Sequence, residues 1–215
     1  MRAVIFIYGD SIAYGAADLE MGGWAHRLRL YFNNRTTAGD DVDIRLCNLS
    51  IPGETTAGLV ERISSEIPPR LRDDCENIFI FAYGMNDFAF PPEGTKPLVE
   101  LEYFSENLQS ALAIAREYSQ KIYVLNITPV LDEIAGAQRA GRRIRFCRNM
   151  TPYNARLKEF SAANGCTLID VNKDFIEQNY ALLLTEDGVH PNAAGHKVIF
   201  ERVRKDLEEG EARVL

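Results

Sequence analysis

Two kinds of apolar spacing alternate along this chain. Short runs at residues 3–8, 43–49, 77–82, 121–127 and 166–171 predict strands. Longer stretches, with apolar residues recurring every three or four positions, predict helices at 23–32, 55–67, 98–118, 153–164 and 192–207. In the third of these, Leu101, Phe104, Leu108, Leu112 and Ala115 form one stripe. Pro68-Pro69 stops the second, Gly165 closes the fourth as a left-handed cap, and Pro191 lies near the first turn of the last. Strands alternating with helices predict an α/β fold with a parallel sheet, right-handed crossovers and helices on both faces. No repeat, linker or low-complexity tract interrupts the pattern, and 215 residues suffice for a sizeable core, so a single domain over 1–215 is expected.

Composition narrows the function classes. Hydrophobic content of 46% and charged content of 26% are ordinary for a globular protein. No apolar run approaches the roughly 20 residues of a membrane helix, and Val4-Ile5-Phe6-Ile7 is too short for a secretory core. The expectation is an intracellular, cytoplasmic protein with no membrane partner. A net charge of −7 argues against nucleic acid, which needs clustered Lys and Arg. Cys47, Cys75, Cys147 and Cys166 are scattered, with no CxxC and no histidine at ligand spacing; they read as buried reduced thiols, not a zinc site.

Polar chemistry gathers at the predicted strand ends. Ser11 follows the first strand, Gly53 the second and Asn86 the third, so all three leave the same sheet edge, where open parallel sheets bind ligands. Asp187-Gly188-Val189-His190-Pro191 follows the fifth strand and can fold back to that edge. A serine hydroxyl needs a base to become a nucleophile, and His190 is the candidate. Asp187, three positions earlier, is placed to hold the imidazole tautomer. The alternatives residue by residue are a helix cap for Ser11, a turn residue for Gly53 and turn or capping roles for Asn86 and Asp187. Gly9 is expected to permit a tight turn, and His26 and His196 to be structural. Gly9-Asp10-Ser11-Ile12-Ala13 departs from the G-x-S-x-G elbow at Ala13, which argues against an α/β-hydrolase.

Together, Gly9-Asp10-Ser11, Gly53, Gly84-Met85-Asn86-Asp87 and Asp187–Pro191 resemble, in order and spacing, the four blocks of the SGNH hydrolases, or GDSL-type esterases and lipases. Gly15 and the Gly23-Trp24 region fit as well. The resemblance implies a three-layer α/β/α, flavodoxin-like fold with five strands in the order 2-1-3-4-5. It implies Ser11 as nucleophile, His190 as base, Asp187 as orienting acid, and Ser11, Gly53 and Asn86 as oxyanion donors. It implies a small-molecule ester or thioester substrate and neither metal nor organic cofactor. Acyl transfer to an alcohol or amine uses the same parts and differs in its products. A non-catalytic module binding an anion or a protein would keep its ligand when Ser11 is removed.

Two features fall outside those blocks. Phe88, Phe90, Pro91 and Pro92 read either as an apolar wall for the acyl chain or as a packed loop. The stretch 131–149 lacks an apolar period and carries Arg139, Arg142, Arg143, Arg145 and Arg148. It reads either as a solvated, partly helical excursion or as a rim or lid drawing in an anionic substrate, with Arg142 and Arg143 as contacts. Oligomeric state is not legible.

Overall fold

The computed structural model describes residues 2–137 and 141–212; Arg139 lies outside them. Five strands run in chain order: β1 (Arg2–Gly9), β2 (Asp43–Asn48), β3 (Glu76–Ala82), β4 (Lys121–Leu125) and β5 (Thr167–Ile169). All pair in parallel, in the order β2-β1-β3-β4-β5. The order reverses at β1, so a crevice opens beyond the carboxyl ends of β1 and β3.

Alternation along β1 explains the two cores. Ala3, Ile5 and Ile7 face one side and Val4, Phe6 and Tyr8 the other, and all six are fully buried. The first face is covered by α2 (Trp24–Thr37), α7 (Val171–Glu177) and α8 (Ala193–Ala212), through Trp24, Leu28, Phe175 and Val203. The second is covered by α3 (Thr56–Glu66), α4 (Leu101–Arg116) and α6 (Cys147–Asn164), through Leu59, Ile63, Phe104, Leu108 and Leu157. Phe6 and Phe79 stack at 4.9 Å between centroids on that face.

Element ends differ from the sequence reading where packing or capping decides. Helix α6 starts six residues earlier than predicted and runs through Pro152, because Met150 and Tyr153 bury one face and outweigh the lost backbone bond. The fifth strand ends at Ile169, and Asp170 instead caps α7, its carboxylate accepting from the Lys173 N–H. Two one-turn helices were not predicted: α1 (Ser11–Tyr14) and α5 (Asp132–Ala135). The four cysteines are partly buried and unpaired. Among the described residues no helix is long and apolar enough to cross a membrane.

Candidate active site

β1 delivers its chain directly into α1. Asp10 is the cap: its carboxylate accepts from the Ile12 N–H at 2.9 Å. Ser11 is therefore the first helical residue and not the cap, and its N–H has no partner inside the helix. Gly9 serves close approach rather than a special backbone angle. A Cβ there would lie 2.6 Å from the Ala13 Cβ and 2.8 Å from the Ala82 carbonyl oxygen. Asp10 is almost wholly buried, and burial pushes its pKa up to about 6.

The other half comes from the far end of the chain. The Gly188 N–H donates to the Thr185 carbonyl and the Thr185 N–H to the His190 carbonyl, closing a compact turn before α8. Asp187 organises it: one carboxylate oxygen accepts from the Val189 N–H (2.9 Å), the His190 N–H (3.0 Å) and the Thr185 hydroxyl (2.8 Å). The other oxygen lies 2.6 Å from His190 Nδ1. The turn and orienting roles of Asp187 thus coexist on its two oxygens. Burial works against its charge, but the hydrogen bonds from the His190 ring and the two backbone N–H groups prevail, holding its pKa well below the usual carboxylate range. A carboxylate beside Nδ1 selects the tautomer with its proton there. Nε2 is left as acceptor, 2.9 Å from Ser11 Oγ.

His26 and His196 lie elsewhere. His196 is fully buried within α8, between the Trp24 N–H (3.3 Å) and the Ala16 carbonyl (3.0 Å), and burial lowers its pKa. His26 lies in α2, beside Arg29.

Gly53 and Asn86 close the site. Gly53 sits at φ +83°, a turn conformation that favours glycine. Asn86 is 3% exposed in the turn after β3, where the Phe88 N–H bonds the Gly84 carbonyl. Its Nδ2 donates to the Glu54 carbonyl at 3.0 Å. Two ties, one buried and one half-buried, join these loops. Asp87 accepts from the Thr56 N–H (2.9 Å) and hydroxyl (2.6 Å), and Glu54 accepts two N–H groups of Arg62 and the Tyr83 hydroxyl. Burial pushes Asp87, like Asp10, up to about 6. The Glu54–Arg62–Tyr83 network was not legible beforehand, because it joins a loop, a helix and a strand end at unrelated spacings.

A cleft of about 520 Å³ opens over Ser11, Gly53, Asn86, Asp187 and His190. Its apolar wall is Pro52, Ile134, Ala135 and Val189. Phe88, expected as a possible acyl wall, is fully buried against Tyr153 in the core. Phe90 does not line the cleft; its backbone pairs with Ile144. Phe88 was drawn inward because burying its ring outweighs exposing it at the cleft.

The described residues of the stretch, 131–137 and 141–149, are neither wholly solvated nor detached. The Leu131 N–H bonds the Gly188 carbonyl at 2.8 Å, anchoring the stretch to the histidine turn. Exposed Arg142 and half-buried Arg143 and Arg145 line the cleft. Arg145 was not singled out from the sequence, yet it lies deeper. Burial first, and then repulsion from Arg143, lower its pKa to about 10, which still leaves it cationic at neutral pH.

This arrangement can move a proton from a hydroxyl to an imidazole beside a set of N–H donors. Three comparisons bear on it. A family model, the GDSL-like lipase/acylhydrolase family, matches residues 7–198. A GDSL esterase/lipase of Arabidopsis thaliana is 24% identical over 226 residues, 97% of this chain and 87% of that protein. Solved structures share the fold. A lipase/acylhydrolase from Enterococcus faecalis gives a TM-score of 0.73 at 19% identity, covering 96% of each chain. Axe2, an acetylxylan esterase from Geobacillus stearothermophilus, gives 0.72 at 19% identity over 94% of this chain and 93% of its own. An α/β hydrolase enzyme from the Lake Arreo metagenome gives 0.72 at 22%, with the same coverage.

Proposed function

The chain belongs to the GDSL-like lipase/acylhydrolase family and is a carboxylic ester hydrolase, and on that premise we propose that it works through an acyl-enzyme on Ser11. The carrying observation is the unbroken line Ser11 Oγ, His190 Nε2, His190 Nδ1, Asp187 Oδ2, with contacts of 2.9 and 2.6 Å.

Ser11 Oγ attacks the ester carbonyl carbon while His190 Nε2 takes its proton. The carbonyl π electrons move to oxygen, giving a tetrahedral oxyanion that the Ser11 and Gly53 N–H groups and the Asn86 amide receive. Asp187 stays ionised and stabilises the imidazolium. The intermediate collapses as the imidazolium gives its proton to the departing alcohol oxygen, leaving an acyl ester on Ser11. Water then attacks that ester, His190 takes its proton and returns it to Ser11 Oγ, and the carboxylic acid leaves. The substrate is a small-molecule ester; thioesters and acyl transfer to an added acceptor run through the same intermediate. The acetylxylan esterase among the structural neighbours makes short acyl groups the first to try.

Ser11→Ala should lower turnover of p-nitrophenyl acetate by about 10⁴-fold or more. A fluorophosphonate should label the parent enzyme at Ser11 only. Undiminished turnover in the variant removes the reading.

A further inference from the structure

The stretch 131–149 contains an arrangement that the reaction scheme above does not use. Ile144 and Phe90 form an isolated antiparallel bridge, exchanging N–H to carbonyl bonds of 2.8 and 2.9 Å. In extended backbone, residues two apart share a side. Arg143 and Arg145 flank Ile144, and both reach the same atom. Arg143 Nη1 lies 2.7 Å and Arg145 Nη2 2.9 Å from Asn86 Oδ1. Arg143 Nη1 also donates to the Gly53 carbonyl at 2.9 Å, and Arg145 Nε to the Met85 carbonyl at 2.9 Å. Eight other arginines, among them Arg27, Arg62, Arg72 and Arg202, are paired with carboxylates. Among the described residues, Arg143 and Arg145 instead spend these bonds on neutral oxygens, side by side, despite repelling each other.

We propose that Arg143 and Arg145 are positioning residues for the oxyanion, which they serve by clamping the Asn86 carboxamide and tying it to Gly53. This rests on the reading above that Gly53 and Asn86 are oxyanion donors. Turning the amide over would set its NH₂ against two guanidiniums, donor facing donor, and both arginines would lose this shared acceptor. The clamp therefore fixes Nδ2 on the other side. There one N–H is used by the Glu54 carbonyl and the second remains for substrate. Two charge-assisted bonds to Oδ1 draw electron density from nitrogen and strengthen that remaining donor. Arg143 Nη1, shared between Asn86 Oδ1 and the Gly53 carbonyl, holds two donors from different loops at one spacing. Both cations also stabilise negative charge as it develops.

The test is steady-state kinetics of Arg143→Ala, Arg143→Lys and Arg145→Met on p-nitrophenyl acetate and on the mono-p-nitrophenyl ester of succinate, whose acyl group carries a carboxylate. Arg143→Ala and Arg145→Met should lower kcat on the neutral ester about 10²-fold with KM within about threefold, as loss of a fixed oxyanion donor does. Arg143→Lys, which keeps a cation and a donor, should recover about tenfold of that loss. Adding guanidinium ion to Arg143→Ala should raise kcat. An unchanged kcat on the neutral ester overturns the proposal. So does a loss confined to KM for the anionic ester, which would make these arginines carboxylate binders. If Arg145→Met does not fold, Arg143→Ala decides by the same criteria. Ser11→Ala separates the two levels: if it too is active, the acyl-enzyme reading fails; if it is inactive while Arg143→Ala is normal, only this proposal fails.

Discussion

At Asp187 one side chain does two jobs with two oxygens, and substitution can separate them. One oxygen gathers three donors and shapes the turn; the other faces His190 Nδ1. Asp187→Asn can keep the first role by leaving its carbonyl oxygen among those donors. Its NH₂ then meets Nδ1, so the ring proton moves to Nε2 and the acceptor facing Ser11 is lost. The expected result is a fall in kcat of about 10⁴-fold with little change in melting temperature. A fall below about tenfold would show that the imidazole needs no such orientation. His190 was legible as the candidate base because of the acid three residues before it. Arg145 was not legible as a site residue, since what marks it is a shared acceptor 59 positions away in the chain.

Elements in this protein are joined to the site by buried polar ties, not only by apolar packing. The start of α3 is fastened to the turn after β3 by the two Thr56 bonds to Asp87, and Asn107 of α4 donates to the same Thr56 hydroxyl oxygen at 3.1 Å. Thr56→Val keeps the shape and removes the hydroxyl. It leaves the Asp87 carboxylate with one bond fewer and the Asn107 amide without this acceptor. Urea unfolding should show a loss of about 1–3 kcal/mol, and a change under about 0.5 kcal/mol would mean that water replaces the bond. The stripe on α4 was readable because a helix repeats every 3.6 residues. The start of α6 was not, because Pro152 is an interruption until Met150 and Tyr153 find their core.

Across the whole molecule, bringing the strand ends together sets Asp10 and Asp87 in the same interior, where burial raises both to about 6. An aspartate in an unfolded chain titrates near 3.9. As pH rises from about 4 to about 6, the unfolded chain gives up these protons while the folded one retains them, so stability falls over that window and the full cost stands above it. Asp187 has the opposite sign: its depressed pKa contributes stability above the unfolded value, lost only as pH falls through the folded one. Asp87→Asn keeps an oxygen for Thr56 and removes one raised acid. The melting temperature of the parent, measured against that variant, should drop as pH goes from about 4 to about 7. Parallel curves would show that Asp87 pays no such penalty.

Periodicity and local order were enough to determine the α/β class, the five strands and the longer helices, and to single out Ser11, Gly53, Asn86, Asp187 and His190 as candidates, since each signal lies within a few neighbouring residues. The tertiary structure alone decided what those residues touch. It carried Phe88 into the core, placed Ile134 and Val189 on the cleft wall, and set Arg143 and Arg145 on the Asn86 amide. The physical reason is range: backbone propensity and side-chain period act along the chain, whereas burial and hydrogen-bond satisfaction are settled between segments that meet only when the sheet is built.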